Sequence, residues 1–328
     1  MKKYFPGLIL KITVIAVVVS LLYPSISLAA GPTVPTEVNI RPTGSAEAEI
    51  SIWIPRDAVA ESFLATADYI AEEDLPAGIS YPPDSVGQAF TFGLWVGDST
   101  TLRRFTPSIV INIKYQDNDI PVSALSHEER LHLYMYNPST QSWLKLCSSV
   151  DIHGNVLSAA LSFPTPLDGK GNSLMALAID NTPPLEQAVD AKGTTTISLQ
   201  GSNLGFQLLF DTVEVGTHFV ITILPNPASS GVVKLFSKPI DIKGCWIDHD
   251  NPTQNNRQLV SYPKPLRIGF NYDPDTLSRA GGKARLTIVN LLNEQWIDEE
   301  ALGSRIDRAD DIITVDTTNL GTFGMAAR

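Results

Sequence analysis

Two cysteines and five histidines are all that 328 residues supply of the side chains that most often act as nucleophile and base. No glycine-rich phosphate loop follows a strand-like run and no Gly-x-Ser-x-Gly elbow appears, so nucleotide and serine-hydrolase chemistry lack sequence support. Basic residues are scarce as well. The 24 Lys and Arg stand against 35 Asp and Glu, and the net charge of −11 repels nucleic acid and anionic lipid. Scattered acids that keep an exported chain dispersed are the simpler account of that charge. Cys147 and Cys245 fall in different halves of the chain at unmatched positions, which excludes a disulfide repeated within each half. A bridge between the halves fits an oxidising compartment; two separate buried thiols in strands also fit, and the thiols are the expectation.

The one long apolar run, Ile12 to Tyr23, follows Lys2 and Lys3 and precedes Pro24 and the small residues Ser27-Leu28-Ala29-Ala30-Gly31. Such a layout belongs to a secretory signal peptide. Small side chains at Ser27 and Ala29 place the expected cleavage after Ala29. A membrane anchor needs about 20 apolar residues. Lys11 and Pro24 confine this run to 12. Cleavage would leave 299 of the 328 residues and, with Lys2, Lys3 and Lys11 gone, move the net charge from −11 to −14. The expected destination is the cell envelope or the extracellular space, with no membrane contact beyond the signal peptide.

The remainder reads as one unit written twice. Gly93-Leu94-Trp95-Val96 returns as Gly244-Cys245-Trp246-Ile247, and Phe105 to Tyr115 returns as Tyr262 to Tyr272. Leu131, Leu133 and Met135 match Leu286, Ile288 and Asn290; Trp143 matches Trp296; Val150-Asp151 matches Ile306-Asp307. Short β-branched or alternating runs separated by Gly, Pro, Asn and Asp predict strands, among them Glu49 to Ile54, Ile109 to Tyr115, Val156 to Leu161, Phe206 to Phe210 and Leu266 to Tyr272. Between Arg56 and Glu73 the residues fit a helix or a strand pair equally. The expected fold class is all-β: two tandem antiparallel β-sandwich domains related by duplication. The boundaries follow as a signal peptide at 1–29, a flexible tether at 30–45, repeat 1 at 46–181, a Pro-containing linker at 182–192 and repeat 2 at 193–328.

Ile52-Trp53-Ile54-Pro55-Arg56-Asp57-Ala58-Val59, the Pro-led strands ending at Tyr115 and Tyr272, and the Leu-rich strands with their trailing Trp together resemble a known family. It is the β-sandwich domain shared by netrin receptors and ankyrins and found in bacterial envelope proteins, here as two divergent tandem copies. Some members of that family cut themselves before the last strand at a His-Phe-Ser type site. The resemblance puts Asn319-Leu320-Gly321 at that site in the second copy and Ser173 at the nucleophile position of the first, with Gly171 where the base would stand. Neither copy pairs a hydroxyl with a histidine, so self-cleavage is not expected.

Other candidate constellations are weak. In His127-Glu128-Glu129-Arg130-Leu131-His132 the histidines are five apart, whereas one face of a zinc-protease helix needs four, so a turn His and an outward strand His are expected. The Asp117-Asn118-Asp119, Asp248/Asp250 and Asp273/Asp275 loops hold oxygens a calcium ion would accept. Runs of this kind more often make turns by bonding their own backbone, and turns are expected. Cys147 and His153 lack an orienting third group. Four of the five tryptophans pair between repeats, which predicts core positions; Trp53, flanked by Ile52 and Ile54, is left for the surface. No catalytic, metal or cofactor-binding residue is assigned. The expected function is an exported, non-catalytic structural or protein-interaction module, its partner an unknown protein; the alternative is a carbohydrate-binding module that stacks a surface polysaccharide on an exposed tryptophan such as Trp53.

Overall fold

The computed structural model describes residues 25–27, 35–40, 42, 50–59, 63–96, 100–101, 105–121, 125–162, 171–181, 185–189, 195–199, 206–210, 217–225, 233–259, 261–292, 295–309 and 311–328. The first half contains β1 (Ser25–Ser27), β2 (Thr36–Ile40), β3 (Ile50–Ile54), β4 (Phe63–Ile70), β5 (Ser85–Val96), β6 (Thr100–Thr101), β7 (Ile109–Lys114), β8 (Leu131–Asn137), β9 (Ser142–Lys145), β10 (Cys147–Asp151), β11 (Val156–Leu161) and β12 (Ser173–Ile179). The second contains β13 (Leu185–Val189), β14 (Thr195–Leu199), β15 (Phe206–Phe210), β16 (Thr217–Ile223), β17 (Ile240–Trp246), β18 (Arg257–Gln258), β19 (Ser261–Asn271), β20 (Leu286–Leu292), β21 (Gln295–Asp298), β22 (Arg305–Arg308), β23 (Ile312–Asn319) and β24 (Gly321–Ala327). All strand pairings among the described residues are antiparallel, and the fold is all-β.

In each half two sheets face one another. Order β4-β5-β12-β8-β9 packs on β10-β11-β7-β3-β2, and order β16-β17-β24-β20-β21 packs on β22-β23-β19-β15-β14. Every strand of the second set sits where the strand twelve numbers earlier sits in the first. Even the short β6 and β18 flank the corresponding strands β5 and β17. The outermost β1 and β13 break the match, since β1 pairs β4 while β13 pairs β14.

The period-two pattern explains the cores. On β7 the inward residues Ile109, Ile111 and Ile113 meet Phe90, Phe92 and Met175 of the opposing sheet, and on β19 Leu266, Ile268 and Phe270 play the same part. The amide of Tyr115 donates to Asn155 O and that of Tyr272 to Asp311 O, both at 3.0 Å. At the place of Met135 the second core instead buries Asn290, whose Nδ2 donates to the buried Glu299 carboxylate at 3.0 Å. A polar side chain survives at that depth because its hydrogen bond offsets the lost water.

Several expectations need correction. The tether at 30–45 carries β2, with Val38 and Ile40 only 3% and 2% exposed in the core. The linker at 182–192 contains β13. Ser25–Ser27, inside the expected leader, pair with Thr66–Leu64, so cleavage after Ala29 would remove β1 and leave β4 at the sheet edge. The ambiguous stretch from Arg56 to Glu73 holds strand β4, alternately buried over its first half, and then enters a single 3-10 turn at Glu72–Asp74; no α-helix occurs among its described residues. Gly93 and Gly244 lie on opposite faces: a Cβ on Gly93 would strike Asn172 and Trp95, while one on Gly244 would meet Leu259 and Leu320 of the core. That four-residue match is therefore not a structural one. Val150 pairs with Leu157 and Ile306 with Val315, so this match is out of step by two residues although its hairpins correspond.

The tryptophans are the largest departure. None of the five is buried, and the interiors are filled by Phe, Ile, Leu and Met. Trp143 and Trp296 do occupy equivalent places, opposite Tyr136 and Leu291 on neighbouring strands, but on outer faces. An indole N–H needs an acceptor, and the rim of a sheet supplies one more readily than an aliphatic core.

The cysteines are bonded to each other, contrary to the expected separate thiols: Cys147 of β10 and Cys245 of β17 form a disulfide across the two halves, with Cα atoms 5.5 Å apart. Both are fully buried, and Ala160, Ile247 and Val220 pack around them. Around this patch the contact between sandwiches is polar. Segment 248–258, with its short helix Pro252–Asn255, lies over the outer face of β7 and β11. There Asn112 Nδ2 donates to Thr253 O at 3.2 Å, Asn256 Nδ2 to Ser149 Oγ at 2.9 Å, and the Gln258 amide to Ser108 Oγ at 3.1 Å. The disulfide closes a sequence separation of 98 residues. A loop of that length is worth about 4–5 kcal/mol in the chain-entropy account. Replacing both cysteines with serine is expected to lower unfolding stability by about 2–5 kcal/mol in denaturant titration, and each single serine variant should expose one labelled thiol after unfolding; an unchanged midpoint would count against the bridge.

Candidate functional site

A groove of about 440 Å³ runs between the sandwiches, with Tyr134, Trp143 and Lys145 on the outer face of β8 and β9 on one side and β16 on the other. The first sandwich contributes Pro82, Pro83, Tyr134, Gln141, Trp143, Lys145 and Asp180, and the second contributes Thr222, Ile223 and Pro225. Strands β9 and β16 are each the last in their sheets and meet here, edge to edge. The Lys145 amide, which a further strand would otherwise take, donates to Thr222 Oγ1 at 3.1 Å.

Residues 71–84 build one wall. They fold over the outer face of the first sandwich, where Leu75, Ile79 and Tyr81 cover Ala89, Leu174 and Ala176. This cover, together with the core on the other side, explains why all seven residues of β12 are buried. Tyr81 Oη donates to Ile70 O at 2.7 Å, and Trp143 Nε1 to Ser80 O at 2.9 Å. Tyr136 meets the Trp143 ring edge-on at a centroid distance of 5.5 Å. The indole is thus fixed in orientation with part of its surface open to the groove.

Charge lies at the groove's base. Lys145 is 3% exposed, and its Nζ reaches Asp180 Oδ2 at 2.9 Å. Burial lowers the Lys145 pKa, and Asp180 opposes that fall. The Arg130 guanidinium donates to the Asp180 carbonyl. Burial, and secondarily the Asp180 charge, raises the Tyr134 hydroxyl above its ordinary range. A second ion pair, Asp241 with Lys243, lies buried nearby on the second sandwich, and Thr322 Oγ1 donates to Asp241 at 2.9 Å. His132, expected as an outward strand residue, does point away from the first core, yet its Nδ1 is shut off from solvent and has no hydrogen-bond partner. Burial, then the Lys145 ammonium, lowers its pKa to about 4.

A second groove of about 340 Å³ lies between the sandwiches near Phe105, Ser108, Trp246 and Tyr262. The Arg257 guanidinium stacks 4.2 Å from the Trp246 ring centre and fills its face. Trp53, the expected sugar platform, is half-buried on β3 beside Glu37 and Val110 and lines neither groove.

The acidic loops have local work. Asp117 accepts from Asn155 Nδ2 at 2.7 Å. Asp248 accepts from the Asp250 and Asn251 amides and from Asn255 Nδ2, and these hydrogen bonds, Asn255 first, lower its pKa. Asp273 caps the helix Pro274–Ala280 through the Thr276 amide at 2.8 Å, and hydrogen bonds from Thr276, its side chain first and then its amide, likewise lower the Asp273 pKa. Asp275 pairs with Arg279 one turn on, at 3.3 Å. Among the described residues no three His, Cys, Asp or Glu side chains gather at one point. Cys147 is bonded to Cys245, which removes a nucleophilic dyad with His153. Ser173 and Gly321 begin the matching strands β12 and β24, and Ser173 Oγ is buried, with no hydrogen-bond partner among the described residues to take its proton. No family model matches the chain, and no curated protein matches it.

Two outcomes follow from the buried charges. A histidine whose pKa falls to about 4 contributes full stability above its unfolded value of about 6.5 and loses it as the pH drops toward 4. Up to about 3 kcal/mol should disappear over that window in pH-dependent denaturation, and His132→Leu should flatten the curve. Lys145→Met should cost about 3 kcal/mol by taking the ammonium away from the Asp180 carboxylate, and Lys145→Met with Asp180→Leu should cost less than the single change; equal losses would show the two are not coupled.

Proposed function

We propose that this chain is an exported, non-catalytic interaction module, made of two copies of one sandwich unit that arose by duplication and locked covalently into a single binding body. The observation that carries the reading is the buried disulfide between the halves. Such bonds form and persist in oxidising compartments, which agrees with the leader-like residues 1–29. Matched strand orders and matched core positions on β7 and β19 favour duplication over chance likeness.

The resemblance to the sandwich of netrin receptors, ankyrins and bacterial envelope proteins belongs to the same proposal. The Pro-led strands with their terminal Tyr115 and Tyr272, and last strands that begin at Ser173 and Gly321, support it. The lack of a base beside Ser173 supports an uncut, non-catalytic member. Contact as the function rests on the inter-sandwich groove, whose walls are held rigid from both sides.

The exported product should have the mass of residues 30–328 with one disulfide, and cross-linking on intact cells should capture a protein bound to it. Recovery of the product only in the cytoplasm, with both thiols free, would overturn the reading.

A further inference from the structure

We infer that the groove between the sandwiches is a binding site for a neutral sugar ring, which stacks on the Trp143 indole and hydrogen-bonds to Tyr134 and Gln141. The inference rests on the interaction reading above and names the ligand class of its groove.

Strand register places the recognising side chains. Leu131, Leu133 and Met135 of β8 point into the core, so Tyr134 and Tyr136 stand on the outer face. Tyr134 pairs with Lys145 and Tyr136 with Trp143, which sets Tyr134 diagonal to Trp143. Diagonal neighbours on an antiparallel ladder are about 7–8 Å apart, close enough for two aromatic side chains to touch one small ligand. Gln141, exposed on the turn into β9, lines the groove beside them. The main chain of β9 is already met by β16 through Thr222, so side chains do the recognising. The volume of about 440 Å³ falls within the roughly 300–1,000 Å³ of small-molecule sites.

Three properties of the lining select the ligand. The first is an aromatic plane held in advance. Ser80 and Tyr136 orient the Trp143 indole, so stacking need not order it. Arg257 covers the Trp246 face, and the other three indoles line neither groove. The second property is neutrality. Among the described residues that line the groove, Lys145 and Asp180 alone are charged, and they pair at 2.9 Å. An ionic ligand would give up water there without meeting an unmatched counter-charge. The third property is spare hydrogen-bonding capacity at the rim. The Tyr134 hydroxyl has no hydrogen-bond partner among the described residues, and burial keeps it protonated, able both to donate and to accept. Gln141 adds an amide with the same two abilities. A wholly apolar ligand would strip water from both groups and replace none of it. A sugar ring meets all three conditions, with C–H bonds on its flat face for the negative face of the indole, hydroxyls round its edge and no net charge.

The test titrates the full exported chain, disulfide intact, with short gluco-, xylo- and manno-oligosaccharides, and with an oligogalacturonate as the charged comparison. At least one neutral series should bind by calorimetry and shift the intrinsic tryptophan fluorescence, with an affinity that changes little as salt rises, and the galacturonate should do neither. Trp143→Ala should abolish the shift and weaken binding about tenfold or more, while Trp53→Ala leaves both unchanged. Trp143→Phe, which keeps an aromatic surface, should recover part of the loss and guards against misfolding of the alanine variant. Tyr134→Phe, which removes one oxygen, should weaken binding about threefold to tenfold. Binding of no neutral oligosaccharide, preference for the galacturonate, or affinity indifferent to Trp143 would overturn the assignment. A photo-cross-linker at Gln141, applied on intact cells, separates its failure from that of the interaction reading. Capture of a protein there, with no sugar bound in the titrations, removes the sugar and leaves the interaction reading standing; sugar binding lost in Trp143→Ala, with no protein captured, keeps the sugar site and removes the protein partner.

Discussion

The rest of the molecule depends on the contact between the two sandwiches, held at its centre by the Cys147–Cys245 bond. Its surround is unusual for an interior: Asn112, Asn256, Ser149, Ser108 and Thr222 hydrogen-bond across it, and two buried ion pairs lie beside it. Such bonds add little net stability each but cost a good deal if left unmade, so they fix geometry more than they add to affinity between the halves. The covalent link supplies the persistence that polar contacts do not. The groove exists because this contact holds β9 and β16 edge to edge at one point, Lys145 to Thr222.

The two edges also explain one another. An unpaired strand edge invites association with other chains, and proteins blunt it with charge, proline or a covering element. On this chain a threonine hydroxyl blunts part of β9 and the prolines at 82, 83 and 225 stand around the remainder.

Sequence pattern revealed strand character, as from Phe105 to Tyr115 and from Tyr262 to Tyr272, because it depends on period-two burial that local residues dictate. It did not reveal β12, whose two faces are both covered and whose run from Ser173 to Ile179 shows no alternation to detect. It lost β2 and β13 because prolines and threonines nearby gave those stretches the composition of a spacer. It placed tryptophans inside by size, whereas their ring N–H decided the matter, as Trp143 and Ser80 illustrate. The groove was invisible for another reason: Lys145, Asp180 and Thr222 come together only when one half docks on the other. Lys145 alone left a trace, a cation inside the otherwise apolar Trp143-Leu144-Lys145-Leu146-Cys147.

Small hydroxyl and amide side chains on the outer face of β7 and β11 have a consequence for assembly. Water satisfies Ser51, Asn112 and Ser158 as readily as the second sandwich does, so apart from the small apolar patch at Val110 and Ala160 that face stays polar while the later half is still being made. Each half is free to complete its own interior first and then close on the other. The sulfurs, 98 residues apart along the chain, come within bonding reach only after closure, which makes the covalent bond a seal on correct assembly and not a guide toward it.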